Sequence, residues 1–412
     1  GKRAVFFPAT QQAQGVELRR IHEAVTRDLG LAAADLSGGG FTSWEAALRF
    51  FAALARPDPL LVILDEVPYL ARSTPGFASV VQSVWDHLGQ GTRLMFVLTG
   101  SAIGTMESML GAGGALRGRP SLTLRLDPVT WSASRAFLPT LPAESLLEAY
   151  AACGGYPLHL KAWDPSASTA TNLLRLAWSA GGILLDDATG MLHEELPETG
   201  GYARILAAIG RGRTRLTDIE ADAAQRVEHP LEVLQRSGFI RRSTPVGAPR
   251  RARPLYEIDD PYLAFWFGVL YSDLGLIDGG QGRAVLGRRR PQWQRHIGWV
   301  FEEQARAHAA RLVAAGTLPE DMLVGRWWAS TGEPCEVDVI GLSGARTAML
   351  GEAKWQARPL GPRELRELMA KATRVPDVVE HPQIVLWGRG GLDPALAGAG
   401  LLGFGPEDML TT

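Results

Sequence analysis

Residues 60–70, LLVILDEVPYL, constrain what this chain can fold into more than any other stretch. Five apolar residues, β-branched members among them, lead into two adjacent carboxylates, Asp65 and Glu66. A short, continuously apolar run of this kind suits a strand buried on both faces of a parallel sheet. The carboxylates then fall at its C-terminal end, where open α/β sheets place their ligands. An Asp there can hold Mg²⁺ on a nucleotide phosphate, and a Glu can polarise the attacking water. The plain alternative is a strand ending in a solvated acidic turn, since so short a motif also matches by chance.

The neighbouring segments extend the pattern. Residues 2–7 read as a strand, 17–29 as an amphipathic helix, and a second such helix starts at Thr42 or Ser43. Residues 77–88 read as a helix and 92–98 (TRLMFVL) as another buried strand, ending in Thr99-Gly100-Ser101. Ser101 could reach a γ-phosphate or its attacking water; equally, it could cap a helix. Arg117 and Arg119, ahead of a further short strand, are candidate bidentate phosphate donors, although a solvated arginine pair is the commoner case. A helical region begins within 126–137, and GGYP, ending at Pro157, marks a tight turn before a helix.

Length and composition bound the rest. A chain of 412 residues exceeds one ordinary core, so two to four domains are expected. With 46% hydrophobic and 21% charged residues it is globular rather than disordered. A formal charge of −2 excludes a globally basic surface, so any contact with DNA has to be local. Cys153 and Cys335 alone cannot make a disulfide framework or a cysteine zinc site. There is no apolar run of membrane-spanning length and no signal peptide, which leaves no membrane partner and makes the cytoplasm the default.

From Gly200 the pattern changes. Short helices are expected at 203–209, 216–224 and 228–237, followed by a two-stranded ribbon, which describes a winged helix. The ribbon is basic, with Arg241, Arg242, Arg250, Arg251 and Arg253, and the last three are the candidate DNA-phosphate contacts. The helix that would read bases carries Glu228 and Glu232, so base reading is not expected and a structural spacer is the alternative. Residues 259–271 (DDPYLAFWFGVLY) read as an aromatic docking helix and 283–290 as an exposed connection.

A second constellation lies beyond Trp293. A helix over 297–313 carries Glu302 and Glu303, and the strands CEVDVIGL and AMLGEAKWQ follow, with a further helix at 363–373. Side chains alternate along a strand, so Glu352 and Lys354 share a face, and Asp338 can sit opposite them. Two carboxylates on neighbouring strands can bind Mg²⁺ while a lysine orients or activates water against a phosphodiester. Glu302 is the expected helical member of the site, with Glu303 as the alternative. The simpler reading is an amphipathic hairpin with a surface Glu–Lys pair.

In order, LVILDEVPYL, LTGSA, GGYPLHL, YEIDDPYLAFWF, FEEQAR, GRWW, EVDVI and GEAKW resemble the prokaryotic archaeal-type ATPases of the AAA/signal-transducing group. The resemblance spans nearly the whole chain. It implies an α/β protein: a P-loop ATPase parallel sheet (1–127) with a helical lid (128–199), a winged helix (200–258), a connection (259–292) and a PD-(D/E)xK nuclease-like domain (293–412). Asp65–Glu66 then stand at the Walker B position, Ser101 at sensor 1, and Pro157 in a turn that packs on the nucleotide base. ATP and Mg²⁺ are the implied cofactors, with Mg²⁺ at Asp65 and at Asp338–Glu352.

The family's GxxxxGK[ST] loop is missing: Gly1-Lys2 mimics its end, but Arg3 follows where a hydroxyl should bind Mg²⁺. A fragment or displaced start is the expected reason, and the chain as written is expected to bind ATP weakly. The leading expectation is a nucleotide-regulated DNA-processing or defence protein, with a homo-oligomer left open. The rivals are a non-catalytic DNA-binding regulator or scaffold, and a nuclease independent of nucleotide.

Overall fold

The computed structural model describes residues 3–31, 40–56, 58–89, 92–196, 199–248, 252–329 and 333–411. The chain divides into two compact units, Gly1–Leu126 and Asp127–Thr412. Among the described residues, no helix is long and apolar enough to cross a membrane.

The first unit is built on three parallel strands, β1 (Ala4–Pro8), β2 (Leu60–Asp65) and β3 (Leu94–Leu98), with β2 in the middle. Leu60, Val62 and Leu64 point into the core with Val5, Phe7, Trp44 and Phe51. Leu61 and Ile63 are half-buried, so β2 alternates instead of being sealed on both faces. The helix Gln14–Leu29 stops at Gly30, whose φ of 64° is the left-handed geometry glycine adopts without penalty. The helix Trp44–Leu54 starts at Ser43, whose hydroxyl accepts from Ala46 N at 3.1 Å.

Two expectations change here. β3 is an outer strand among the described residues and is half-buried, with Met95 63% exposed. The strand expected after Arg119 does not form; Leu122, Leu124 and Leu126 are exposed and in no regular structure. Apolar alternation favours a strand, but a ladder needs a partner in register, and none lies beside 121–126 among the described residues.

The second unit begins with short helices, among them Trp131–Ser134, Ala143–Cys153 and Pro157–Ala162. Three more, Thr199–Gly210, Leu216–Ala223 and Glu228–Arg236, precede the antiparallel pair β4 (Ile240–Ser243) and β5 (Leu255–Ile258). The aromatic segment expected as a docking face is internal. Tyr262, Phe265, Trp266 and Phe267 are buried, and Trp266 Nε1 donates to Leu185 O at 2.8 Å. The expected connection at 283–290 is instead part of a continuous helix, Gly282–Ala314, with Pro291 inside it. Asp273 draws that segment in by accepting from Arg288 at 2.9 Å and Arg289 at 2.5 Å, while Val285 is buried.

A five-stranded mixed sheet follows: β6 (Leu323–Trp328), β7 (Glu336–Ser343), β8 (Arg346–Lys354), β9 (Val378–Gly388) and β10 (Leu402–Phe404). Its order is β10-β9-β8-β7-β6, antiparallel across β6–β7–β8 and parallel across β8–β9–β10. β7 is buried over 337–342, so Asp338 is carried into the interior by its apolar neighbours.

Candidate functional site

In the first unit, Asp65 ends β2, and Glu66 follows in a left-handed conformation, φ 56° and ψ 45°. That region is costly for a residue with a Cβ and persists only where surroundings hold it. Here Glu66 accepts from Ser101 Oγ at 2.9 Å and from Ser101 N at 3.3 Å, and Asp65 accepts from Thr99 Oγ1. Between these two hydroxyls, Gly100 leaves room for Pro68, whose Cδ would lie 2.4 Å from an added Cβ. The Thr-Gly-Ser sequence therefore ties the end of β3 to both carboxylates.

Arg119, expected as a phosphate donor, is engaged elsewhere. Its Nε and Nη2 donate to Asp86 at 2.8 and 2.7 Å, and Nη1 donates to Ala115 O and Arg117 O. Arg117 is exposed. Pro157 belongs to the second unit, exposed in the first turn of its helix.

The second unit holds the denser constellation. In the helix Gly282–Ala314, Ile297, Val300, Phe301, Ala305 and His308 form a buried stripe at helical spacing. Glu302, next to Phe301, meets Glu336 and Asp338, with one donor oxygen from each lying within 4.8 Å of the others. The three line a cavity of about 720 Å³ together with Arg326, Lys371 and Arg374. The β7–β8 register pairs Val339 with Gly351, which sets Asp338 across from Glu352. Asp338 Oδ2 accepts from Ala353 N at 3.0 Å and lies 3.8 Å from Lys354 Nζ. Lys354 Nζ also lies 2.6 Å from Glu352, whose two oxygens accept from Lys371 Nζ at 2.8 and 2.7 Å.

Burial, then the charge of Asp338, push the Glu302 carboxyl up to about 8. Burial and the neighbouring Glu352 likewise raise Asp338. For Lys354, burial acts to lower the pKa, but Asp338 and Glu352 outweigh it and raise the ammonium above its usual range. Lys354 is therefore a charged donor rather than a base. A buried carboxyl crowded by a second carboxylate is what a cation would relieve. An all-oxygen donor set suits Mg²⁺ or Mn²⁺, so the residues present fit the divalent ion that the sequence implies.

Glu303, the alternative to Glu302, is turned away from the cluster. It accepts from Arg241 and, at 2.7 Å, from Arg306; burial works against it, but the arginines hold it down to about 2. Arg241 is thereby withdrawn from the basic ribbon, sharing Glu303, Glu257 and Asp259. Arg253 is exposed, while Arg250 and Arg251 lie outside the described residues, as do Gly1 and Lys2.

Sequence reasoning missed Glu336, Arg326 and Lys371. Glu336 was detectable, standing two residues before Asp338 and so on the same strand face. Arg326 pairs with Glu336 and, at 2.6 Å, with Glu257 of β5. No local pattern marks it or Lys371, because their partners come from other elements.

Comparison with known proteins adds the following. The family model DUF234, described as archaeal and bacterial proteins of unknown function, matches residues 266–368. An uncharacterized protein of Methanocaldococcus jannaschii, MJECL04, is 27% identical over 329 residues, covering 76% of this chain and 70% of the relative. Among solved structures, the Walker-type ATPase PABY2304 of Pyrococcus abyssi is similar at a TM-score of 0.48 and 17% identity, covering 64% of this chain and 83% of that one. The Aeropyrum pernix ORC1 protein, solved in complex with DNA, is similar at a TM-score of 0.29 and 15% identity, covering 71% and 88%.

Proposed function

We propose that this chain is a Mg²⁺- or Mn²⁺-dependent phosphodiesterase acting on DNA, whose hydrolytic site is governed by an ATPase-type module. The observation that carries this reading is the Glu302–Glu336–Asp338 cluster in an open cavity, with Lys354 Nζ 3.8 Å from Asp338. A divalent ion held by these carboxylates would neutralise charge developing on a phosphate oxygen. Lys354 keeps its proton and donates toward the same oxygen or the attacking water. The Ala353 N–H holds one Asp338 oxygen, fixing the carboxylate's orientation.

In the same reading, the helix–strand–strand–strand–helix–strand order from Gly282 to Gly388 is a PD-(D/E)xK nuclease-like domain. The three short helices and ribbon of 199–258 are a winged helix. Asp65, Glu66, Thr99 and Ser101 form the Walker B and sensor side of a nucleotide site, with Mg²⁺ at Asp65.

The test is incubation of the purified chain with linear, supercoiled and single-stranded DNA, with Mg²⁺ or Mn²⁺, with and without ATP. Asp338→Ala should abolish cleavage; Lys354→Ala should retain Mn²⁺ binding and lose rate. Cleavage persisting in Asp338→Ala refutes the assignment. No cleavage of any substrate favours a non-catalytic regulator or scaffold, a reading supported by the pairing of Arg326 with Glu336, which already satisfies one carboxylate.

A further inference from the structure

The cavity that holds the carboxylate cluster is also lined by Lys371, Arg374 and Glu367, and Lys354 stands beside Asp338. Lys354 Nζ lies 2.6 Å from Glu352, and Lys371 Nζ donates to both Glu352 oxygens at 2.7–2.8 Å. Lys354 is shared with Asp338, 3.8 Å away, so the two ammonium groups meet two buried carboxylates. Neither ammonium is enclosed. The Glu352 side chain is 3% exposed, whereas those of Lys354 and Lys371 are 37% and 29% exposed.

Lys354 has another partner in Asp338, but both hydrogen bonds of Lys371 go to Glu352. Lys371 also lines the cavity, as does Arg374 three residues along the helix Pro362–Ala372 and its end. A pocket that sets Lys371 and Arg374, with Glu367, beside Glu302, Glu336 and Asp338 complements a cation bridged to a phosphate ester.

From this arrangement we infer that Lys371, with Lys354, forms a seat for the substrate's phosphate anion, and that Glu352 anchors these lysines instead of ligating metal. The inference deepens the proposed phosphodiesterase reading and rests on it for the identity of the substrate. The carboxylate that accompanies Glu302 and Asp338 around the cation is then Glu336, not Glu352. A flexible ammonium is poorly placed alone; a buried, doubly bonded carboxylate gives it a fixed origin from which to reach the phosphate. Lys371 then touches substrate, and Glu352 acts through it as a positioning residue.

Two titrations on the full chain test this. Mn²⁺ affinity is measured by calorimetry without DNA, and affinity for a fluorescent single-stranded oligonucleotide by anisotropy in Mg²⁺ over a series of salt concentrations. Lys371→Gln should weaken oligonucleotide binding about tenfold and lower the salt slope by about one, while Mn²⁺ affinity stays within about twofold. Lys371→Arg should recover most of the oligonucleotide affinity. Glu352→Gln should keep Mn²⁺ binding and lose oligonucleotide affinity.

The inference is overturned if Lys371→Gln leaves oligonucleotide affinity and salt slope unchanged, or if Glu352→Gln abolishes Mn²⁺ binding. Circular dichroism of each variant separates these outcomes from misfolding, and Lys371→Arg, which retains the charge, supplies the second check. Failure of the metal reading looks different: the wild-type chain would bind no Mn²⁺, while the Lys371 dependence of oligonucleotide binding would still decide the anion seat.

Discussion

Replacing Glu302 by Gln should stabilise the protein while removing its response to divalent metal. The carboxyl is raised to about 8 by burial and by Asp338, from an ordinary value near 4.5. A raised acid means that the folded state holds the proton more tightly than the unfolded chain does. Stability is therefore lost as pH rises from about 4.5 toward 8, and regained in the other direction. At pH 7 a shift of that size corresponds to a ceiling of about 3 kcal/mol, from about 1.4 kcal/mol per pH unit.

Glutamine matches the protonated carboxyl in shape and carries no charge for Asp338 to repel. Because Asp338 and Glu336 can relax in the variant, the expected gain is about 1–3 kcal/mol at pH 7, shrinking to a few tenths near pH 4.5. For the unit Asp127–Thr412 that is a rise in melting temperature of about 2–5 °C. The assay is thermal or urea unfolding in EDTA at pH 4.5, 6 and 7.5, repeated with millimolar Mn²⁺. Metal should raise the wild-type transition, by about 2.7 kcal/mol when its concentration is a hundred times Kd, and leave the variant nearly unmoved. A variant less stable than wild type at pH 7.5 in EDTA, or one stabilised equally by Mn²⁺, would refute the reasoning.

Other expectations follow from the same geometry. His296 and His308 are both held near 4, chiefly by burial, so they fold neutral; their contribution is present above about pH 6.5 and is lost as pH falls toward 4. In a Glu302→Gln background, the unfolding free energy should fall over that window by at most about 3 kcal/mol per histidine, offset in part by Asp338 and Asp260, whose carboxyls burial also raises, and a rise in stability toward pH 4 would contradict this. Gly351→Ala would set a Cβ 2.6 Å from the Trp387 ring, whose Nε1 donates to His308 Nδ1 at 2.9 Å. Unfolding should then show a loss of about 1–3 kcal/mol, and an unchanged midpoint would mean that the ring moves freely. Glu303→Gln leaves Arg241 and Arg306 without their shared carboxylate, which should cost about 2–4 kcal/mol by chemical denaturation; a loss below about 0.5 kcal/mol would show that Glu257 and Asp259 take over.

What could be read from the sequence was whatever depends on near neighbours along the chain. The apolar run before Asp65 and Glu66 dictates a strand that delivers both to its C-terminal end, because β pairing and burial reward that local pattern. Alternation likewise puts Glu352 and Lys354 on one face, and helical spacing turns Phe301 inward with Glu302 beside it. Those regularities located the acidic site and most of its members.

Choices among equivalent charges were left to the tertiary structure, since a carboxylate's role depends on what lies across from it. Glu302 and Glu303 differ by one step of the helix, yet one meets Asp338 and the other meets Arg241 and Arg306. Arg119 found Asp86 from a distant segment rather than a ligand, and Lys371 reached Glu352 from a helix whose own sequence says only that it is amphipathic. The arginine-rich 283–290 segment looked like an exposed connection until Asp273 supplied counter-charge and packing extended the helix through Pro291. Electrostatic partners are selected through space, at separations along the chain that no local periodicity encodes, so only the folded chain decides which of its many charges are structural and which face the cavity.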